Sequence, residues 1–360
     1  MSQKTILITG TNAGGIGNQL AREFHAKGLR VFATARKTDS ITDLADLGIE
    51  TLSLEVTDPE SIKALKEEIA SRTSGKLDYL VNNAGRNYTV PATDIDFDQV
   101  QSTFEVNVFG VMRMCQAFTP LLIEAKGTIV QIGSLAGVMP YVFGSVYNST
   151  KAALHSYSNT LRVELEPFDV KVLTVVTGGV KSRIARNEWQ LPRDSIYLPI
   201  EPEYMRRTKH SQEVGMPTEK YAKSVVSQVL GGRHKRQIWE GAFSYWVWFA
   251  STFLPSSIFV SHRNTQLEIP LTILERTTSS GVLSVCGSSE RLTPRSSREV
   301  CQENKELDSL PKHTEQRPTI FQYTLRIDSD SLQSLMLPRI HDAIYAIQDM
   351  FHVNPAAEAF

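Results

Sequence analysis

Six short apolar runs, near residues 4–10, 30–36, 50–56, 77–82, 127–133 and 171–177, alternate with longer segments of helical period. This alternation constrains the fold more than any other feature of the chain. Strands that succeed one another through helices run parallel, and right-handed crossovers then place helices on both faces of the sheet. The run Gly127-Thr-Ile-Val-Gln-Ile-Gly133 has the apolar character that a strand buried on both faces requires. The expected class is therefore α/β: a doubly wound parallel sheet with helices on both faces. A helix after Gly144, ending near Pro167, carries Leu154, Leu161 and Leu165 at helical spacing. Its small Ala152 and Ala153 permit close approach of another helix.

Composition narrows the function classes. Among 360 residues, 38 basic against 39 acidic side chains leave a formal charge of -1, so no global field draws the chain to nucleic acid. Cys115, Cys286 and Cys301 are too few and too scattered for a disulfide framework or a zinc site, which points to a reducing, cytoplasmic setting without metal chemistry. Lys4 leads directly into Thr5-Ile-Leu-Ile-Thr9, with no secretion leader before it. Beyond about residue 265 the periodicity fades into a polar, serine-rich stretch. The expected organisation is a catalytic-type domain over 1–265 and a weakly ordered extension over 266–360, either a true extension or a displaced reading of the gene. One late helix after Pro338 would align Ile340, Ile344, Ile347 and Phe351.

After the first apolar run comes Thr9-Gly10-Thr-Asn12-Ala-Gly14-Gly15-Ile16-Gly17, and a helical pattern follows. Glycines allow a tight turn and close approach of the backbone to a pyrophosphate, and a helix N-terminus offers free N–H groups and partial positive charge. In this context the loop reads as a dinucleotide site of Rossmann-like type. The second run ends in Arg36-Lys37, where a carboxylate would otherwise accept the ribose 2′-hydroxyl; two cations there suit a 2′-phosphate and select NADP(H).

Tyr147 and Lys151, four residues apart, share one helix face. A free phenol titrates near 10, and a neighbouring ammonium with a positively charged nicotinamide would favour the phenolate and bring it toward working pH. Tyr147 would then exchange a proton with a substrate oxygen. Ser134 follows the fifth run, at the carboxyl end of the sheet, where its hydroxyl would hold that oxygen. Asn107 interrupts an apolar helical pattern and needs buried partners.

With Asn82-Asn83-Ala84-Gly85 added, these motifs resemble the short-chain dehydrogenase/reductase family over about residues 1–260. The resemblance implies that Asn83 and Gly85 line the nucleotide crevice, that Lys151 also binds the nicotinamide ribose, and that Asn107 holds a proton-relay water. It further implies that Val180 and Ser182 touch the nicotinamide carboxamide, and that two long helices form a homodimer. Departures from the family pattern fall at named places. The glycine loop is one residue longer than the commonest spacing, which affects the contacts of Asn12 and Ile16. Glu55 stands where aspartate is common, leaving Glu55 or Asp58 as the adenine contact. Thr177-Gly178 replaces proline-glycine, and Ser182 replaces threonine. Within the family the chain is most similar to fungal NADPH-dependent reductases akin to acyl-dihydroxyacetone-phosphate reductase. That implies reduction of a lipid-like or secondary-metabolite ketone. Two rival readings are alcohol oxidation in reverse and a dinucleotide-binding regulator without turnover.

Residues 183–217, polar and poorly periodic with Trp189, Tyr197 and Tyr204 interspersed, read as a substrate lid or an ordinary surface excursion. From Gly241 to Ser261 no charged residue occurs. Three readings stay open for this segment: a membrane span; peripheral contact with a membrane such as the endoplasmic reticulum or lipid droplet surface; and packing or tunnel lining in a soluble protein.

Overall fold

The computed structural model describes residues 3–185, 189–231, 235–255 and 259. The chain divides into two units, Met1–Glu268 and Ile269–Phe360, and the described residues belong to the first. The extension over 266–360, including the helix expected after Pro338, lies outside the described residues.

In chain order the elements are β1 (Thr5–Thr9), α1 (Ile16–Ala26), β2 (Arg30–Ala35), α2 (Thr42–Ala45), β3 (Glu50–Ser53), α3 (Pro59–Thr73), β4 (Tyr79–Asn82) and α4 (Phe97–Phe104). They continue with α5 (Gly110–Ala125), β5 (Thr128–Ile132), α6 (Ser145–Leu165), β6 (Lys171–Thr177), β7 (Val180–Lys181) and α7 (Glu201–Glu213). The last are β8 (Met216–Pro217), α8 (Thr218–Leu230), β9 (Gln237–Glu240) and α9 (Ser244–Phe253). The main sheet has seven parallel strands in the order β3-β2-β1-β4-β5-β6-β9. Chain progression reverses between β1 and β4, so the loops after those strands diverge and leave a crevice at their carboxyl ends.

Side chains on β1 alternate between two cores, as the strand period of two requires. Ile6 and Ile8 join Leu20 and Phe24 of α1 and Tyr221 and Val225 of α8, whereas Leu7 faces Phe118 of α5 and Leu154 and Leu161 of α6. Parallel pairing of Ile6 with Val31 and Leu7 with Phe32 keeps each partner in the same core. The six expected strands are all present.

A seventh strand, β9, escapes the sequence pattern because its four residues, Gln-Ile-Trp-Glu, are too few and too polar to form an apolar run. It is held as an edge strand beside β6, and its buried Glu240 is hydrogen-bonded by Ser224 and Gln228. Between α4 and α5 a π turn, Glu105–Phe109, makes Phe97–Ala125 a continuous helical run. That run is long and apolar enough to cross a membrane, but Val111, Met114, Phe118 and Leu122 belong to the second core. Of the uncharged segment 241–261, the described part forms α9, whose ten residues extend about 15 Å against a hydrocarbon core of about 30 Å.

Candidate active site

The glycine loop is built by contacts that leave no room for side chains. Gly10 and Gly14 have positive φ, +71° and +72°, and a Cβ on Gly10 would stand 2.8 Å from Ala84 Cα. A Cβ on Gly17 would stand 2.4 Å from Asn83 Nδ2 and 2.6 Å from Gly10 O. Asn83 therefore works as a splice: its Nδ2 donates to Thr9 O and Gly10 O at 2.8 and 2.9 Å, while Thr9 Oγ1 accepts from the main-chain N–H groups of Asn83 and Ala84. Gly15 is the N-cap of α1 and supplies no capping side chain, and the first turn contains no acidic residue. The terminal N–H groups and their partial positive charge are thus available to a pyrophosphate. Ile16 opens the helix and packs on the first core, and Asn12 Oδ1 accepts from Ser40 Oγ at 2.6 Å.

At the carboxyl end of β2, Arg36 and Lys37 are exposed and form no ion pair among the described residues. The turn that follows touches the glycine loop, where Ala13 N donates to Ser40 O. Past β3, Glu55 Oε1 accepts from Thr57 N and Thr57 Oγ1, and the exposed Asp58 caps α3 by accepting from Glu60 N. Asp58 thus has a complete local role, and Glu55 is the half-buried carboxylate of the pair.

Ser134, Tyr147 and Lys151 converge beyond the end of β5. The Tyr147 phenol lies beside the Ser134 hydroxyl, and Lys151 Nζ lies 5.7 Å from the Tyr147 ring centroid. Lys151 Nζ donates to Ile132 O at 2.9 Å, which pins the amine to the end of the strand that leads into Ser134. Asn107 sits on the π turn, whose extra residue turns one position inward. Its Oδ1 accepts from Arg86 N at 2.9 Å, and its Nδ2 donates to Arg86 O at 2.9 Å and to Thr150 Oγ1 at 3.1 Å. The buried amide thereby joins the loop after β4 to the residue preceding Lys151. Gly85 lies in that loop, where a Cβ would meet Asn107 Oδ1 at 3.3 Å. Val180 and Ser182, both buried, follow β6 on the same side of the sheet.

Electrostatics here are dominated by loss of solvent. Burial pushes the Tyr147 phenol up to about 12, with the Ser134 hydrogen bond opposing it, and pulls the Lys151 ammonium down to about 8. The expectation of a phenol brought toward working pH also counts a positively charged nicotinamide; among the protein's own groups alone, desolvation dominates. At neutral pH Tyr147 holds its proton and Lys151 its charge.

A scan against protein families matches the short chain dehydrogenase family over residues 4–192. The chain belongs to the short-chain dehydrogenase family. It is 44% identical over 253 residues to the short-chain dehydrogenase virD of Hypocrea virens, covering 70% of this chain and 88% of that protein. It is 38% identical over 291 residues to the NADPH-dependent 1-acyldihydroxyacetone phosphate reductase of Schizosaccharomyces pombe, covering 76% and 98% of the two chains. Among solved structures, a short-chain dehydrogenase from Streptomyces avermitilis superposes with a TM-score of 0.61 at 26% identity, covering 77% of this chain and 98% of that one.

In this short-chain dehydrogenase, two residues near the reacting groups escape sequence reasoning. His155 Nε2 accepts the main-chain N–H of Ser134 at 3.2 Å, so the proton of the neutral ring is on Nδ1. Burial and the Lys151 charge pull His155 down to about 4, and a Cβ on Gly133 would stand 2.2 Å from its Nε2. The available signal was its position, four residues after Lys151 on the same helix face. Arg183, just past Ser182, reaches the glycine loop, where its Nη1 donates to Ala13 O at 2.9 Å and its Cδ lies against Gly14. No local pattern links residues 170 positions apart. The stretch beyond Arg183 includes α7, anchored by the fully buried Tyr204, whose hydroxyl lies 2.9 Å from Thr89 O and 2.7 Å from Trp189 O. Phe143, in the segment between Ser134 and Tyr147, packs edge-on against Tyr197 and Tyr204.

Proposed function

We propose that this short-chain dehydrogenase is an NADP(H)-dependent reductase that converts a lipid-like or secondary-metabolite ketone to a secondary alcohol. The observation that carries the reading is the protonated, half-buried Tyr147 set beside Ser134 and Lys151 at the carboxyl end of the sheet. The crevice fits a dinucleotide: the close-packed glycines 10, 14 and 17 and the uncapped α1 terminus would receive a pyrophosphate, and the exposed Arg36 and Lys37 suit a 2′-phosphate. The relative from Schizosaccharomyces pombe is NADPH-dependent by name, which supports the same choice. Bound NADPH supplies the hydride. Ser134 orients the carbonyl oxygen, Tyr147 donates its proton to that oxygen, and the charged Lys151 stabilises the phenolate left behind. The same proton relay serves both directions, and the name of the NADPH-dependent reductase from Schizosaccharomyces pombe supports reduction over the reverse reaction. We assign Glu55, Asn83, Gly85, Val180 and Ser182 to the cofactor crevice; each follows the carboxyl end of a parallel strand, β3, β4 or β6, which supports the reading.

The test follows NADPH oxidation against a panel of long-chain ketones, with Tyr147→Phe as control. Tyr147→Phe is expected to lower kcat at least about 100-fold while the protein stays folded and still binds NADPH. Retention of full turnover would sink the reading.

We also propose a cytoplasmic location with peripheral contact to a membrane such as that of the endoplasmic reticulum or lipid droplet. Support comes from α9, where Tyr245, Trp246, Trp248, Phe249 and Phe253 are all exposed on a helix without charged residues. We also propose a homodimer over α5 and α6, as the family resemblance implies; Val163 on α6 stands exposed at 68%.

A further inference from the structure

The helix α7 carries a cation with no anion. Arg207 lays its guanidinium against the ring of Tyr141, with Cζ 3.3 Å from the centroid. Its Nε is sealed from solvent without a hydrogen-bond partner, and among the described residues no carboxylate lies within ion-pair distance of it. A guanidinium does not lose its charge, so the half-buried Arg207, with its Nε sealed, is left short of both counter-charge and acceptors. Burial pushes its pKa down, and only Tyr141 opposes the shift.

The surroundings place this cation on the substrate side. Tyr141 belongs to the segment that joins Ser134 to Tyr147, and Asn148, next to Tyr147, donates from Nδ2 to Tyr141 O at 2.9 Å. The Tyr141 hydroxyl lies 2.7 Å from Nδ1 of His210, one turn beyond Arg207, and the His210 ring stacks on Phe243 at an interplanar angle of 12°. An aromatic wall thus runs from the catalytic segment to α7, with a planar fork of unused N–H donors set into it. Such a fork matches two oxygens of a phosphate or carboxylate better than any neutral group.

We propose that Arg207 anchors an anionic group, phosphate or carboxylate, at the end of the ketone substrate remote from its carbonyl, with Tyr141 and Phe243 contacting the apolar body. This rests on the reductase reading and deepens it: the substrate class becomes an amphiphilic ketone with an acidic end. Arg207 contacts substrate without entering the proton or hydride transfer.

The experiment measures binding to the full chain loaded with NADPH, by calorimetry, using octyl phosphate, 1-octanol and inorganic phosphate as probes. Octyl phosphate is expected to bind at least about tenfold more tightly than either of the others, because it engages both the fork and the wall. Arg207→Met is expected to remove that margin while leaving octanol affinity within about twofold, and Arg207→Lys, which keeps charge without the fork, to retain part of it. Equal affinity of the wild type for octyl phosphate and octanol overturns the proposal. So does inorganic phosphate binding as tightly as octyl phosphate, or a loss in Arg207→Met shared by octanol. The wild-type comparison decides the question even if both variants fail to fold. NADPH oxidation with neutral ketones is a separate arm: its failure removes the reductase reading, while the binding contrast still judges the anion site.

Discussion

At the scale of single residues, the site places a charge where the fold resists it. Lys151 is buried, makes one hydrogen bond, to Ile132 O, and has its pKa pulled from 10.5 to about 8. That displacement corresponds to roughly 3 kcal/mol against the charged form. The sign follows from linkage: below pH 8 the folded protein carries the full penalty, and the penalty fades between about 8 and 10.5 as the native amine releases its proton before the unfolded one. Lys151→Met is therefore expected to abolish turnover yet raise the melting temperature by several degrees at pH 7, with the gain shrinking toward pH 10. Thermal denaturation at a series of pH values checks this; a variant less stable than wild type at pH 7 contradicts it. Arg36 poses the opposite case, an exposed cation that stability does not need. Arg36→Glu is expected to leave the melting temperature within about 1 °C and to shift cofactor preference from NADPH toward NADH by at least about tenfold in kcat/KM. Catalytic residue types were legible in the sequence because Tyr147 and Lys151 sit one helical turn apart. The balance between desolvation and charge was not, because it depends on how completely the remainder of the chain excludes water.

At the scale of elements, α6 does most of the assembling. Tyr147 and Lys151 face the site, Thr150 reaches Asn107, and His155 holds the Ser134 main chain, so one helix fixes three other segments. This was readable only in part: helical spacing shows which residues share a face, but not which strand or loop lies opposite. The α7 helix shows the converse. Its sequence, Glu-Pro-Glu-Tyr-Met-Arg-Arg-Thr-Lys-His-Ser-Gln-Glu, offers little apolar periodicity, and the helix is anchored through the single buried side chain of Tyr204 against Thr89 and Trp189. Tyr204→Ala is expected to destabilise the fold by about 3 kcal/mol and to raise KM for the ketone more than it lowers kcat. Steady-state kinetics with saturating NADPH and denaturant titration check it; an unchanged KM would separate α7 from substrate binding.

At the scale of the whole molecule, five exposed aromatic side chains gather on α9, and Val163 stands exposed on α6. Flotation with phosphatidylcholine vesicles is expected to carry the wild-type protein upward and to leave the double variant Trp246→Ser, Trp248→Ser at the bottom, with equal NADPH binding in both. Light scattering is expected to give twice the chain mass for the wild type and a concentration-dependent fall toward the single mass for Val163→Glu; a monomer at all concentrations sinks the dimer. The alternation of apolar runs with helical segments determined the parallel sheet and six of its seven strands, and the glycine loop, Ser134, Tyr147 and Lys151 announced the chemistry, because periodicity and i, i+4 spacing are local properties of a chain. Tertiary structure alone decided the edge strand β9, the splice of Asn83 to the glycine loop, His155 behind Ser134, Arg183 over Gly14 and the unmatched Arg207 beside Tyr141. Each of these depends on groups far apart in sequence meeting where water is excluded, and no local pattern encodes such a meeting.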